Sequence, residues 1–126
     1  MFSENHTLMI EAIFRLRQFS QNYLPIENSL IAYDLILLLS IHNYSNGHIT
    51  VKQLFASMPH SATATRLHYQ RFIDDGWIEN YADTKDGRIK YVRPTGKFIQ
   101  TVNAYTMEME SIISATNSPT MTKGKS

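Results

Sequence analysis

A chain of 126 residues has room for one domain with a modest core, and not for two. It lacks cysteine, which excludes disulfides, thiolate zinc sites and a cysteine redox switch together. The formal net charge of +1 hides an uneven distribution along the chain.

Up to residue 51, Arg15 and Arg17 face Glu4, Glu11, Glu27 and Asp34. From Lys52 to Lys97 there are eight basic and five acidic side chains, and the remainder is balanced. Basicity therefore gathers in the central third, and a dimer would double it. The longest uninterrupted apolar run, residues 35–39, falls far short of membrane-spanning length. The N-terminus has neither the basic start nor the cleavage site of a signal peptide, so a soluble, cytoplasmic chain is expected.

A first helix is predicted from Ser3 or Glu4 to Asn22. Its apolar residues (Leu8, Met9, Ile10, Ala12, Ile13, Phe14, Leu16 and Phe19) cover more than the roughly 100° arc an outer helix needs. The excess implies two buried sides, one against its own domain and one against a partner, with Met9, Ile13 and Leu16 as candidates for the latter. The alternative is a central core helix. Pro25 breaks the chain, and a second helix is predicted from Glu27 or Asn28 to Asn43. Its all-round apolarity marks a buried spine. Asp34 is the exception there: it could pair with Arg15 or Arg17, join a polar ligand pocket, or make a structural hydrogen bond, the reading favoured here. Asn46 and Gly47 then turn the chain.

Thr50 precedes Gln53 by three residues, the spacing of a capping box, so a third helix starts at Val51. Val51, Leu54, Phe55 and Met58 form its apolar face. Pro59 stops it. Ser61 can cap a fourth helix by accepting from the amide of Thr63 or Ala64. Two helices with so short a join must cross steeply, as in a helix-turn-helix. On the fourth helix Ala62, Thr65, Tyr69, Phe72 and Ile73 make the buried stripe. The opposite side presents Thr63, Leu67 and Gln70, flanked by Ala64, Arg66 and Arg71. That mixture of hydroxyl, methyl, amide and guanidinium groups suits base edges in a major groove, whereas a plainly solvated face would be rich in Glu and Lys.

Beyond Gly76 the period changes. Residues 77–81 and 88–93 read as two strands around Asp83-Thr84-Lys85-Asp86-Gly87, and Asp-Gly between strands signals a hairpin. Lys85, Arg88, Lys90 and Arg93 make its tip and one edge cationic. A hairpin directly after a helix-turn-helix is a wing, and an arginine at its tip can enter a narrow minor groove. Pro94 ends the wing and Thr95 caps a last helix over residues 96–114. Phe98, Val102, Tyr105, Met109 and Ile112 are spaced as a heptad seam, which suits packing along a second helix. Residues 116–126 are expected to be disordered.

The fold class expected is mainly α with a small β-hairpin wing. It is a single domain over residues 1–115, with a DNA-binding lobe at 49–94 and dimerisation helices at 3–22 and 96–114. The run from Ser61 to Ile78, the Asp83-x-x-Asp86-x-Arg88 spacing and Val92-x-Pro94-Thr95 together resemble the MarR family of winged-helix transcriptional regulators. The resemblance follows the order of helices over residues 3–115. It implies a homodimer made by the first and last helices, a recognition helix at residues 61–71 in the major groove, and Arg88 in the minor groove. Pro94 stands where that family usually has leucine, and Gly96 follows Thr95 sooner than usual. Aligned from Gly76, Thr65 and Tyr69 occupy usually aliphatic positions; this register gives a coherent buried face and fixes the base-contacting residues to within one position. Many members bind a small aromatic acid between the dimer helices and the DNA-binding lobe, which makes such a ligand a candidate partner here.

The leading expectation is a homodimeric, sequence-specific transcriptional regulator, a repressor or an activator with the repressor favoured, that binds a pseudo-palindromic double-stranded operator. Lys52, Arg66, Arg71, Lys85 and Lys90 would serve the backbone, Thr63, Ala64, Leu67 and Gln70 the bases, and Ser61 joins the DNA-binding candidates at the start of the recognition helix. The alternative is a winged-helix module that docks on protein, suggested by Leu67 on the outer face and the low net charge. An enzyme is not expected. His6, His42, His48, His60 and His68 show no metal-ligand spacing, and there is no phosphate loop or nucleophile elbow. No catalytic residue, cofactor or metal is assigned, and His60 and His68 are left to phosphate contact or solvation.

Overall fold

A computed structural model describes residues 2–45 and 48–117. In chain order the elements are α1 (Glu4–Tyr23), α2 (Leu30–Ser45), β1 (Ile49–Thr50), α3 (Val51–Ser57), α4 (Ala62–Asp74), β2 (Ile78–Ala82), β3 (Lys90–Pro94) and α5 (Gly96–Asn117). The chain divides into two compact units, residues 26–102 and the two flanking segments. The turn expected at Asn46 and Gly47 and the tail from residue 118 lie outside the described residues. Thr116 and Asn117, expected in that tail, are the last residues of α5.

In the flanking unit, Ser3 caps α1 by accepting from the His6 amide. Phe19, Tyr23 and Tyr105 stack, with ring centroids 5.2–6.4 Å apart, and the Ser20 and Tyr105 hydroxyls hydrogen-bond to each other. These pairings explain why Ser20 and Tyr105 are buried together. Along α1 the residues Met9, Ile10, Ile13 and Phe14 remain about half exposed.

The central unit holds the main core. α2 supplies Ala32, Leu35, Ile36 and Leu39, all nearly inaccessible, but it is not buried all round. Leu30, Leu37 and Ile41 are exposed on the other side. The helix also starts later than expected. Glu27 and Asn28 take left-handed conformations, with φ of 47° and 65°, so they form a turn rather than a first helical turn. Ser29 then caps the helix, its hydroxyl accepting from the Ala32 amide at 3.1 Å.

α3 opens with the expected capping box: Thr50 Oγ1 accepts from the Gln53 amide, and Gln53 Oε1 from the Thr50 amide, both at 2.9 Å. Thr50 does a second job. Its extended backbone belongs to β1, which pairs antiparallel with β3 at Ile49↔Val92 and Thr50↔Tyr91. The wing is thus a three-stranded sheet of order β1-β3-β2 rather than a lone hairpin. Two residues are too few to show a strand's alternation, which is why periodicity gave no sign of β1. Pro94 ends β3 opposite Ile78, beyond the reach of β1, so its missing amide hydrogen breaks no ladder on that side.

α4 is terminated by a Schellman motif around Gly76 at φ 79°. The Gly76 amide donates to the Ile73 carbonyl (3.1 Å) and the Trp77 amide to that of Phe72 (2.9 Å). Thr95 joins this point to α5. Its hydroxyl lies 2.8 Å from the Gly76 carbonyl oxygen and 3.0 Å from that of Trp77, and it accepts from the Phe98 amide.

Thr65, Tyr69 and Phe72 of α4 are buried as expected, and Ile73 half-buried, whereas Ala62, at the first turn, is exposed. Thr65 is fully buried, and its hydroxyl has no hydrogen-bond partner among the described residues. Thr65→Val keeps the branched shape and removes that unmatched group. It should raise the free energy of unfolding in urea by about 1–2 kcal/mol, and a loss of stability would show that the hydroxyl is satisfied.

Candidate nucleic-acid interface

Burial of Thr65, Tyr69 and Phe72 leaves one face of α4 outward. Thr63, Arg66, Leu67, Gln70 and Arg71 are exposed there, Leu67 at 61%, and Ala64 is half-buried at the edge. The helix begins where Ser61 Oγ accepts from the Ala64 amide at 3.1 Å. The outer side chains are not loose. The Arg66 guanidinium lies 5.2 Å from the Phe55 ring centre, which orients it beside α3. Gln70 donates to Asp74 Oδ1 at 3.0 Å, and Arg71 Nη1 lies 3.4 Å from Glu27 Oε1. Arg71, assigned to the backbone from sequence, therefore has an acidic neighbour 44 residues away in the chain, and nothing local announced it. Lys52, Lys85 and Lys90 are exposed, as expected.

At the wing tip the loop is closed by side chains. Asp83 Oδ2 accepts from the amides of Lys85 and Asp86, each at 2.9 Å. Asp86 Oδ1 accepts from the Arg88 amide (3.1 Å) and Nε (3.0 Å), and Arg88 Nη2 donates to Asp86 Oδ2 at 3.1 Å. The Asp-Gly pair does not form the left-handed two-residue turn its sequence suggests, since Gly87 keeps an ordinary φ. Two Asx-type turns take its place. The Arg88 fork holds the Asp86 carboxyl below its usual range, and the same hydrogen bonds push the guanidinium upward. On the outer face of the sheet Arg93 bonds Glu79 at 2.8 Å and covers the Tyr81 ring, 4.5 Å from its centre, while Tyr81 stacks on Tyr91.

Both histidines near α4 are placed differently from expectation. His60 Nε2 lies 2.8 Å from Asp34 Oδ2, so of the roles open to Asp34 the structural hydrogen bond is the one observed, and its partner is a histidine of the α3–α4 turn. His68 sits on α4 with Nε2 3.3 Å from Ser29 Oγ. Among the described residues no group of three or more His, Cys, Asp or Glu side chains could hold a metal, and no helix is long and apolar enough to cross a membrane.

The seam residues divide. Phe98 is buried in the central unit and Tyr105 in the flanking one, so both already serve their own chain. Val102, Met109, Ile112 and Leu16 are half-buried, and Met9 and Ile13 are exposed at 50% and 56%. Sequence spacing alone could not separate these uses.

Burial, and then the nearby Arg71 charge, depress the His68 pKa below its ordinary 6.5. The folded chain then holds this imidazole neutral where an unfolded chain would protonate it. Stability is complete above about pH 6.5 and declines as pH falls from there toward the lowered folded value. His68→Gln should flatten that decline, measured as the wild-type minus variant difference in unfolding free energy between pH 7.5 and 5.5. An unchanged difference would remove His68 from the acid response.

No protein-family model matches the sequence, and neither does any curated protein sequence. Solved structures do match. A variant of S. aureus MepR bound to an oligodeoxyribonucleotide aligns with a TM-score of 0.73 at 16% identity, over 94% of this chain and 84% of that one. A transcriptional regulator from Thermotoga maritima gives 0.61 at 17% identity, over 91% and 73%. A protein from Bacillus cereus described as MarR-like gives 0.60 at 16%, over 90% and 76%. At such identities the likeness is one of fold, and the chain has the winged-helix fold of MarR-type transcription regulators.

Proposed function

We propose that this chain is a sequence-specific, DNA-binding transcription regulator that acts as a homodimer and represses from a pseudo-palindromic operator. The observation that carries the proposal is the outward face of α4. Small, methyl-bearing and amide groups (Thr63, Ala64, Leu67, Gln70) lie there between arginines, ahead of a wing tipped by Arg88. Those residue types match the donor, acceptor and methyl pattern of a major groove. The fold shared with a DNA-bound variant of S. aureus MepR supports it.

In this reading Thr63, Ala64, Leu67 and Gln70 meet bases. Lys52, Ser61, Arg66, Arg71, Lys85 and Lys90 meet phosphates, and Arg88 enters the minor groove. Met9, Ile13, Leu16, Val102, Met109 and Ile112 face a second copy. Two recognition helices related by a two-fold need a separation of about 34–36 Å to meet successive turns of one duplex face.

Leu67, at 61% exposure, favours a second reading in which the same face docks on protein. Selection of bound duplexes from a random-sequence pool separates the two. A palindromic consensus, with affinity that falls log-linearly with salt, is the expected result. No enrichment overturns the DNA reading. A small aromatic acid that acts as inducer would lower affinity for the selected duplex, and a reporter driven through it reads repression directly. On that duplex Arg88→Ala should weaken binding by about 1–3 kcal/mol, most where A·T pairs flank the half-site. Unchanged affinity at fixed salt would remove the wing from the interface.

A further inference from the structure

Asp34 is the sole charged residue of α2 before its terminal histidine, and its side chain is only 25% accessible. Replacing such a group by a packed apolar one is often neutral or stabilising, so stability alone is a poor reason for a carboxylate there. Its partner is informative. His60 follows Pro59 and directly precedes Ser61, the residue that caps α4. An ionised carboxylate only accepts, so the His60 Nε2 must carry the proton it donates across the 2.8 Å.

The α3–α4 turn is therefore held on both sides of Pro59: Met58 is buried at 7% exposure, and His60 is tied to α2. Eight residues on, about two helical turns, His68 meets Ser29, the cap of α2, at 3.3 Å. Two contacts to the same helix, one before the first turn of α4 and one along it, resist rolling of α4 about its axis. The buried stripe already excludes a roll of one whole residue, about 100°, so the two contacts restrict the smaller rolls that would still shift Thr63 and Leu67 across the outer face. The groups at stake lie in the first two turns, the end that contacts bases in helix-turn-helix docking.

We infer that Asp34 and His60 are positioning residues that fix the rotational setting of α4, and so set DNA sequence discrimination without touching DNA. The inference rests on the proposal that α4 reads DNA. Backbone attraction through lysines and arginines tolerates a small roll; base-edge hydrogen bonds do not.

The test uses the full chain and two duplexes of equal length, one selected from a random pool and one a scramble of it, titrated at fixed salt. Asp34→Leu should lower affinity for the selected duplex about tenfold and leave the scramble unchanged. The thermal midpoint should hold or rise. Asp34→Asn, whose amide oxygen still accepts from His60, should keep most of the discrimination. An unchanged ratio of the two affinities in folded Asp34→Leu overturns the inference. So does a parallel loss of both affinities with the thermal midpoint, which marks a structural role only. If Asp34→Leu does not fold, His60→Ala decides by the same criteria. Wild-type chain that fails to prefer the selected duplex overturns the DNA proposal itself; wild-type preference with no effect of either variant overturns this inference alone.

Discussion

The burial of one stripe of α4 is the constraint from which the rest of the central unit follows. Thr65, Tyr69 and Phe72 are nearly inaccessible, and together they decide which residues are left to face outward. Each end of the helix is closed by its own device, the Ser61 hydroxyl at the start and the left-handed Gly76 at the finish. Between those ends a shift of one residue would bury an arginine or expose an aromatic ring, and either costs more than the helix can recover locally. The composition of the outer face is thus inherited from the inner one.

Along this helix two side chains stand where stability alone would not place them. Thr65 hides an unmatched hydroxyl, and Leu67 leaves an aliphatic side chain in water. A helix selected for folding alone would place these types the other way round. The outward leucine makes sense where a thymine methyl or another apolar surface meets it. Basic groups of the central unit are partly compensated within the chain, as with Arg71 beside Glu27 and Arg93 beside Glu79. Exposed pairs of this kind add little to stability, but they orient long side chains and moderate the local field.

Features written within three to five residues were legible from sequence. The capping box at Thr50, the cap at Ser61, the Gly76 stop and the hairpin each depend on neighbours in the chain, so residue type and spacing carry them. Features made by distant partners were not. β1 exists only because Val92 and Tyr91 lie alongside it. Asp34 stands out in an apolar helix, yet nothing in its surroundings names His60, twenty-six residues on. The heptad spacing of α5 was visible, but Phe98 and Tyr105 spend it inside their own chain. The apolar arc of α2 reads as a buried spine in sequence, yet Leu30, Leu37 and Ile41 are exposed, because counting apolar positions does not say which of them meet other elements. Of the outer face of α4, the residue types were legible, while the tethers on Arg66, Gln70 and Arg71 were not.

The Asp86–Arg88 fork changes the kind of cation that the wing carries. Its guanidinium has two nitrogens engaged by the Asp86 carboxylate, although the arginine side chain stays 91% accessible. An exposed pair of this kind adds little stability, but it favours one orientation of the long side chain. Inside a groove it would act as a rigid, flat key whose fit depends on width. Lys85 and Lys90 on the same hairpin are exposed too, so under the proposed function the wing would offer a duplex one preoriented planar fork beside two flexible ammonium groups.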